Sequence, residues 1–558
     1  MNFVTPSGFR DVLPEEARLR EEIASRVQSC FAKRGYTPLE TPTLEIMDVL
    51  QAGGRIPGVP FKLFDAKGDL LAMRPDVTMQ VARMCATRLK GRPGPFKFRY
   101  MQRVFREAET EMQAAARELT QFGIESIGQA GAEADAEMLG LFIEALKECG
   151  LQDFKLAVGT VGVLRALLEA SGAADAWKAQ VLDAYHASNF VELDRLVEDQ
   201  QVKRDFARAI KTLPRIRGGR EAIAALRAMV EPLGCSDGLD AFEASYQLLV
   251  EDGLANRLLV DFSVMSSFDY YTGIVVEAYA TGLGTPLGSG GRYDSMLAAY
   301  GQERPAAGFA FYLESAMAAR SLQEATGAKT TLSEEQGDES ALRPLRIAVP
   351  KGALYEDAVF ALRQAGLDTT GLEDPGRQLL IRNPGVEYVI VRPSDAPAFV
   401  ALGAADCGIC GKDSLVEAAP DVVELADLGF GACRFVVAEP YGTSEAVEEH
   451  YRTLGSIRVA TKYPNITTAY YARVGTQVEI VKLHGNIELA PLTGMAERIV
   501  DITATGTTLR ENNLVIVDEV LSSTARFFAN ACAFRTDGRI GALAEALQEQ
   551  AERAQREE

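Results

Sequence analysis

The chain has 558 residues, with 58 Lys+Arg against 78 Asp+Glu for a net charge of -20, and 47% of its residues are hydrophobic. At roughly 100 to 200 residues per domain that length predicts about three to five compact units, and the apolar share excludes disorder for most of the chain. The acidic balance excludes a general nucleic-acid binder, because phosphate contacts need clustered Lys and Arg, although a local basic patch stays open.

In chain order, the opening MNFVTPSGFRDVLPEE has no basic and apolar leader, and no apolar run approaches the length of a membrane span. A cytoplasmic protein without a membrane partner is expected. The first strong helix is predicted over 15–34, where Leu19, Ile23, Val27 and Phe31 recur every fourth residue and Gly35 follows as a stop. Apolar and aromatic runs at 96–105 and 258–264 read as strands, and 130–255 reads as mostly helical, its charge runs being solvated faces. Mixed α+β with an antiparallel sheet is the expected class for this half.

Residues 321–344, SLQEATGAKTTLSEEQGDESALRP, are polar and nearly free of large apolar side chains, as in a flexible linker. Beyond it, apolar runs at 346–349, 388–391, 457–460 and 478–483 alternate with helical patterns such as 354–365. That alternation predicts parallel sheets with helices on both faces. The expected domains are therefore 1–320, a linker at 321–344, and 345–558.

Eight cysteines are spread thinly along the chain, so no disulfide framework is expected. Cys407 and Cys410 form a lone CxxC without a second pair, and only His186, His450 and His484 could add nitrogen ligands. They are read as small buried residues near a strand end.

The most informative stretch is RIVDITATGTTLRENNL at 498–514. An apolar run ends in Asp501, and Thr505-Gly506-Thr507-Thr508 follow at the expected start of a helix. Glycine lets backbone approach a phosphate, successive N–H groups and hydroxyls donate to it, and Asp501 can accept from two ribose hydroxyls. The residues alone leave a ribose-5-phosphate site and an ordinary strand, turn and cap equally open.

The stretch resembles the 5-phosphoribosyl-1-pyrophosphate (PRPP) loop of the ATP phosphoribosyltransferase family. Four further segments agree in order: Val349-Pro350-Lys351-Gly352, VRPSDAPAFVALGAADCGICGKDSL from Val391, RVATKYPNI from Arg458 and KLHGNIELAPLTG from Lys482. The resemblance covers 345–545 and implies two α/β lobes like those of periplasmic binding proteins, with the site in the cleft between them. It implies that N1 of ATP joins C1 of PRPP with release of pyrophosphate, Mg²⁺ being held largely by phosphate oxygens. Adenine N1 carries a free lone pair, so the work is positioning and charge stabilisation rather than proton abstraction. The candidate catalytic cations are Lys351, Arg377 and Arg392, and Asp501, Thr505, Gly506, Thr507 and Thr508 are the substrate-binding candidates. Asn465 is open between orienting substrate and a turn role after Pro464. His484 and Asn486 are assigned no role. The chain resembles the short form of the family, which works with a separate regulatory subunit.

Residues 1–320 are similar to the catalytic domain of histidyl-tRNA synthetase in TPSGFRDVLP, Met73-Arg74-Pro75-Asp76-Val77-Thr78, RYMQRVFREAE, RELTQFGIE, Phe268-Asp269-Tyr270-Tyr271-Thr272-Gly273 and GSGGRYDSML. This implies a class II synthetase-like antiparallel sheet. Two of that family's arginines are replaced, by Ser266 and by Ser315 after Glu314. Serine cannot offset the charge of ATP. Aminoacylation and tRNA are therefore not expected, and the pattern resembles the synthetase-like regulatory subunit of the short-form transferase. By the same resemblance Asp76, Arg106, Gln121, Glu125, Tyr270 and Tyr271 form a regulatory histidine pocket.

The expected protein is a fusion of regulator and transferase, a closed homo-oligomer inhibited by histidine. The linker would hold the halves at about millimolar effective concentration. The competing readings are a working histidyl-tRNA synthetase and a non-catalytic solute-binding module.

Overall fold

The structure, a computed structural model, describes residues 4–54, 58–107, 116–199, 202–264, 271–325, 343–503 and 506–557. The chain divides into two compact units, residues 1–337 and 338–558.

The first unit is built on strands β1 (Thr37–Pro38), β2 (Leu44–Ile46), β3 (Lys62–Phe64), β4 (Leu70–Met73), β5 (Phe96–Phe105), β6 (Glu118–Ile127), β7 (Lys155–Thr160), β8 (Arg217–Gly218), β9 (Leu258–Asp261), β10 (Ile274–Tyr279), β11 (Gly288–Arg292) and β12 (Ala306–Tyr312). Nine of them form one sheet in the order β1-β5-β6-β12-β11-β10-β7-β9-β8, and β2, β4 and β3 form a small second sheet. The central pairs β5/β6, β6/β12, β12/β11 and β11/β10 are antiparallel, as expected. The helix Pro14–Lys33 buries Ile23, Val27 and Phe31, and Gly35 follows it at φ +84°. Its stripe packs with Phe122, Phe142, Phe309 and Phe311, whose rings form a stacked cluster. Helices dominate 130–255, but β7 threads the middle of that region and pairs with β9 and β10. Its run KLAVGT is too short to oppose the surrounding helical pattern, which is why it escaped sequence reading.

The expected linker starts too early. The helix Leu313–Ala325 carries through 321–325, and Arg343 at the far end is already ion-paired with Asp406 at 2.6 Å. Residues 326–342 lie outside the described residues.

The second unit contains β13 (Leu345–Pro350), β14 (Leu380–Asn383), β15 (Val386–Val391), β16 (Cys407–Gly411), β17 (Val423–Asp427), β18 (Cys433–Pro440), β19 (Ile457–Thr461), β20 (Val478–Lys482), β21 (Arg498–Thr503), β22 (Leu514–Ser523) and β23 (Ala525–Ala529). They make two sheets, β14-β15-β13-β16-β23-β17 and β20-β19-β21-β18-β22. The expected all-parallel sheets are corrected. Each sheet has a parallel triplet, β15-β13-β16 or β20-β19-β21, extended by antiparallel strands. β14 joins its sheet antiparallel through a hairpin with β15, and β18 and β23 are the strands entered where the chain passes between the sheets, from β17 to β18 and from β22 through Thr524 alone into β23.

Cys407 is the first residue of β16 and Cys410 the last but one, as expected of buried residues near a strand end. Both are fully buried, and burial pushes both thiols well above their usual pKa. Thiols held protonated in this way are poor nucleophiles and ligands.

At the second passage, Arg526 of β23 donates to Glu424 of β17 at 2.8 Å and also meets Asp427 and Thr524. Arg526 is 5% and Glu424 8% exposed, and burial pushes the Glu424 carboxyl up even beside this guanidinium. Removing one member leaves the other charge buried alone. Arg526→Met is therefore expected to lose about 3–5 kcal/mol in urea unfolding, and Glu424→Leu combined with Arg526→Met to recover most of it. A single variant as stable as the parent would show that the pair does not hold the passage together.

Candidate functional site

In the first unit the polar face of the sheet is assembled around glycines. A side chain at Gly123 would overlap the Tyr100 ring, one at Gly308 would overlap the Glu125 carboxylate, and one at Gly291 would overlap the Tyr271 ring. These positions leave a floor on which Tyr100, Glu125 and Tyr271 lie. Glu125 accepts from Thr78 Oγ1 at 2.8 Å, from the Tyr100 hydroxyl at 3.2 Å and from the Tyr293 hydroxyl. Its burial among them pushes the Glu125 carboxyl up to about 8.

Asp76 accepts from Gln121 Nε2 at 2.7 Å and from the Thr78 backbone N–H at 2.7 Å. Arg106 donates to the Pro75 carbonyl at 3.0 Å and to the Tyr312 hydroxyl at 2.5 Å, with its guanidinium 5.3 Å above that ring. Strand alternation puts Gln121 and Glu125 on one face of β6 and Thr120 on the other. Asp76, Gln121 and Glu125 are thus linked through Thr78, and Arg106 joins through Pro75. Tyr270 and Ser266 lie outside the described residues. Thr78, Tyr100, Tyr293 and Tyr312 were missed by sequence reading. Each sits within a quoted motif or strand, and the signal that could have found them is alternation in register with Gln121 and Glu125.

A cavity of about 710 Å³ opens elsewhere in this unit beside Arg10, Arg20, Arg103 and Glu314. Arg10, Arg20 and Arg103 are ion-paired to Glu16, Glu314 and Glu118, and Arg117 also lines the cavity. Glu314 also accepts from the Thr120 backbone N–H at 2.9 Å.

In the second unit the described part of the segment after β21 is Gly506 and the helix it opens. Gly506 takes φ +72° and leads the short helix Thr507–Glu511, with its N–H donating to Thr503 Oγ1 at 2.8 Å. Asp501 is buried, accepts from the Ile502 N–H at 2.9 Å, and burial raises its carboxyl pKa. Thr507 and Thr508 are exposed at the helix start, and Thr505 lies outside the described residues. The apolar strand runs two residues past Asp501, to Thr503.

Lys351 directly follows β13, and Arg392 directly follows β15. Their strands are parallel neighbours with Pro350 opposite Val391, so the two cations emerge side by side. Arg377 stands three residues before β14, on the segment leading into the β14/β15 hairpin. All three are exposed.

Asn465 has a structural role: its Nδ2 donates to the Glu417 carbonyl at 2.8 Å. The Glu417 carboxylate in turn accepts from the backbone N–H groups of Asn465 and Ile466 at 3.2 and 3.0 Å, capping the helix Pro464–Val474. Among the described residues, no group of three His, Cys, Asp or Glu side chains could hold a metal ion, and no helix is long and apolar enough to cross a membrane.

Residues 8–316 match the family model of histidyl-tRNA synthetase, and residues 392–549 match that of ATP phosphoribosyltransferase. An ATP phosphoribosyltransferase of Rubrobacter xylanophilus is 53% identical over 194 residues, 35% of this chain and 90% of that relative. An ATP phosphoribosyltransferase regulatory subunit of Moorella thermoacetica is 36% identical over 317 residues, 56% of this chain and 81% of that relative. A crystal structure of an ATP phosphoribosyltransferase regulatory subunit/histidyl-tRNA synthetase from Bacillus halodurans aligns with a TM-score of 0.54 at 28% identity, covering 70% of this chain and 98% of that one. The chain therefore belongs through its first half to the histidyl-tRNA synthetase family, beside the regulatory subunits, and through its second half to the ATP phosphoribosyltransferase family.

Proposed function

We propose that the chain is an ATP phosphoribosyltransferase fused to its own regulatory half, joining N1 of ATP to C1 of PRPP in the first step of histidine biosynthesis. The observation that carries this reading is the 53% identity to a transferase over 90% of that relative's length. The buried Asp501 and the left-handed Gly506 turn add the local form that a sugar phosphate requires. The two sheets of the second unit are read as two lobes of the periplasmic-binding-protein kind, with the substrates between them.

In this reading Asp501 accepts from the ribose hydroxyls of PRPP, and the segment Thr505–Thr508 donates to its 5-phosphate. Lys351, Arg377 and Arg392 stand by the departing pyrophosphate, where developing negative charge is stabilised by fixed cations. The adenine N1 lone pair attacks C1 directly, so no base is required. The donor set described above does not build a protein cage for Mg²⁺. The ion is read as arriving on substrate phosphates, and no step here is assigned to it.

The glycine-floored pocket of the first unit is assigned to histidine as a feedback inhibitor. Asp76 and Gln121 face its ammonium group, Arg106 its carboxylate, and Glu125 with Tyr100 and Tyr271 its imidazole. Tyr270 completes the expected set. Ser315, in place of a cation, speaks against adenylate formation and hence against tRNA as a partner. Membership of both halves in families of symmetric assemblies supports a homo-oligomer, and the working place is read as the cytoplasm.

Purified protein mixed with ATP, PRPP and Mg²⁺ is expected to yield phosphoribosyl-ATP, at a rate lowered by histidine. Product without a histidine effect would remove the pocket assignment alone, and absence of product would remove the transferase reading. Asp501→Ala and Thr507→Ala are each expected to raise the KM for PRPP by about tenfold or more, as loss of a hydrogen bond to a charged or polar substrate group does. Unchanged kinetics in both would detach this loop from the site.

Glu125 supplies an independent test. Its carboxyl titrates near 8 in the folded chain, against an ordinary 4.5. Between those values the native state holds a proton that the unfolded state releases. Its contribution to stability is thus complete below about pH 4.5 and is lost as the pH rises through about 8. The parent's thermal midpoint should therefore fall by several degrees more than that of Glu125→Gln between about pH 5 and pH 9. Parallel profiles would place Glu125 in a solvated setting.

A further inference from the structure

Residues 338–558 contain only four lysines, and the fold places all four at the carboxyl ends of parallel strands. Lys351 follows β13, Lys412 follows β16, Lys462 follows β19, and Lys482 is the last residue of β20. Lys351 is already accounted for. The other three belong to no motif role assigned above.

Among the described residues none of the three forms an ion pair, whereas Arg346, Arg458, Arg498 and Arg526 of the same unit are each paired with a glutamate. An acidic chain of net charge -20 thus leaves these lysines without a carboxylate partner. Burial raises the Glu424, Asp501 and Glu417 carboxyls, and Lys412, Lys462 and Lys482 respectively act in the opposite sense.

Hydrogen bonds join the elements that carry them. The backbone N–H of Lys412 donates at 3.0 Å to the carbonyl of Thr524, the residue through which β22 becomes β23. Lys412 opens the helix Lys412–Ala418, and Glu417 in its last turn caps the helix that begins two residues after Lys462. At 1.5 Å per residue, about 7.5 Å of helix axis separates Lys412 from that cap. Thr461 and Val500 are parallel neighbours, so Lys462 emerges beside Asp501. Lys482 ends the next strand, one residue beyond the β19/β20 pair Ala460 and Val481.

Lys462 and Lys482 end neighbouring strands of one sheet, about 4.8 Å apart, and Lys412 ends a strand of the other. Compact ammonium groups at the carboxyl edge of a parallel sheet suit a polyanion better than a single carboxylate. We propose that Lys412, Lys462 and Lys482 form a further polyphosphate subsite at the junction of the two sheets, reaching Lys351 through the parallel neighbours β13 and β16. The inference rests on the transferase reading for the identity of the polyphosphate, which is either the triphosphate of ATP or the pyrophosphate of PRPP.

The test uses the full chain, the variant Lys412→Gln/Lys462→Gln/Lys482→Gln, its counterpart with arginine at the three positions, and Lys90→Gln in the first unit as a control. Calorimetric titration with inorganic tripolyphosphate is expected to show binding weakened tenfold or more in the glutamine variant and largely restored by arginine. In the kinetic arm, a tenfold or greater rise in KM for ATP alone assigns the nucleotide triphosphate. The same rise for PRPP alone assigns its pyrophosphate, with kcat within about threefold of the parent in either case. Parental tripolyphosphate affinity in a variant that keeps the parent's thermal midpoint overturns the subsite. So does an equal rise in both KM values that Lys90→Gln reproduces, since that is long-range charge alone. Should the parent make no phosphoribosyl-ATP, the transferase reading falls while the titration still decides the subsite.

Discussion

A sheet covered on its faces can offer a ligand only its edge, and this constraint shapes the second unit. Helices cover the faces of both sheets, and the apolar clusters around Val400 and Phe528 and around Val459 and Val500 fill the space beneath them. What remains open to a charged ligand is the row of strand ends where β13, β15, β16, β19 and β20 give way to loops. Cations occupy that row because a charge there keeps access to water, whereas one residue earlier it would be buried in the strand.

The first unit meets the same problem differently. Its central strands are antiparallel, so one face can be packed by helices while the other receives a ligand. The stacked phenylalanines of β6 and β12 take the packed face. On the other face, glycines at 123, 291 and 308 give up side-chain volume so that Glu125, Tyr100 and Tyr271 can lie down on the sheet. A buried carboxyl surrounded by hydroxyl donors stays protonated near neutrality, which suits it to a partner that can itself exchange a proton. Gly291 of GSGGR is therefore a spatial requirement of the pocket as well as part of a family signature.

Charge pairing separates structural from functional cations. Arg526, Arg498, Arg458 and Arg346 are held by glutamates and tie strands together. The lysines at strand ends are left without such partners. Fork-shaped guanidinium groups fit bidentate internal pairs, and flexible ammonium groups fit mobile phosphates, so the division of labour follows from side-chain chemistry. Asn465 shows the reverse case, a polar residue in a family motif whose amide holds the Glu417 carbonyl while the Glu417 carboxylate caps its helix.

Much was legible in the residues themselves. The period-four stripe of the first helix, the stop at Gly35, the apolar runs of β13, β15, β19 and β20, the turn at Gly506 and the ordered motifs of two families are local features, written by neighbours in sequence. What the residues could not disclose depends on partners distant in the chain. The antiparallel strands β18 and β23 are entered where the chain passes between the sheets, and Glu417 finds its role only when a helix 48 residues later docks on it. The alignment of Lys412, Lys462 and Lys482 has the same origin. Strand direction and the pairing of charges are decided by which segments meet, and only the folded chain brings them together.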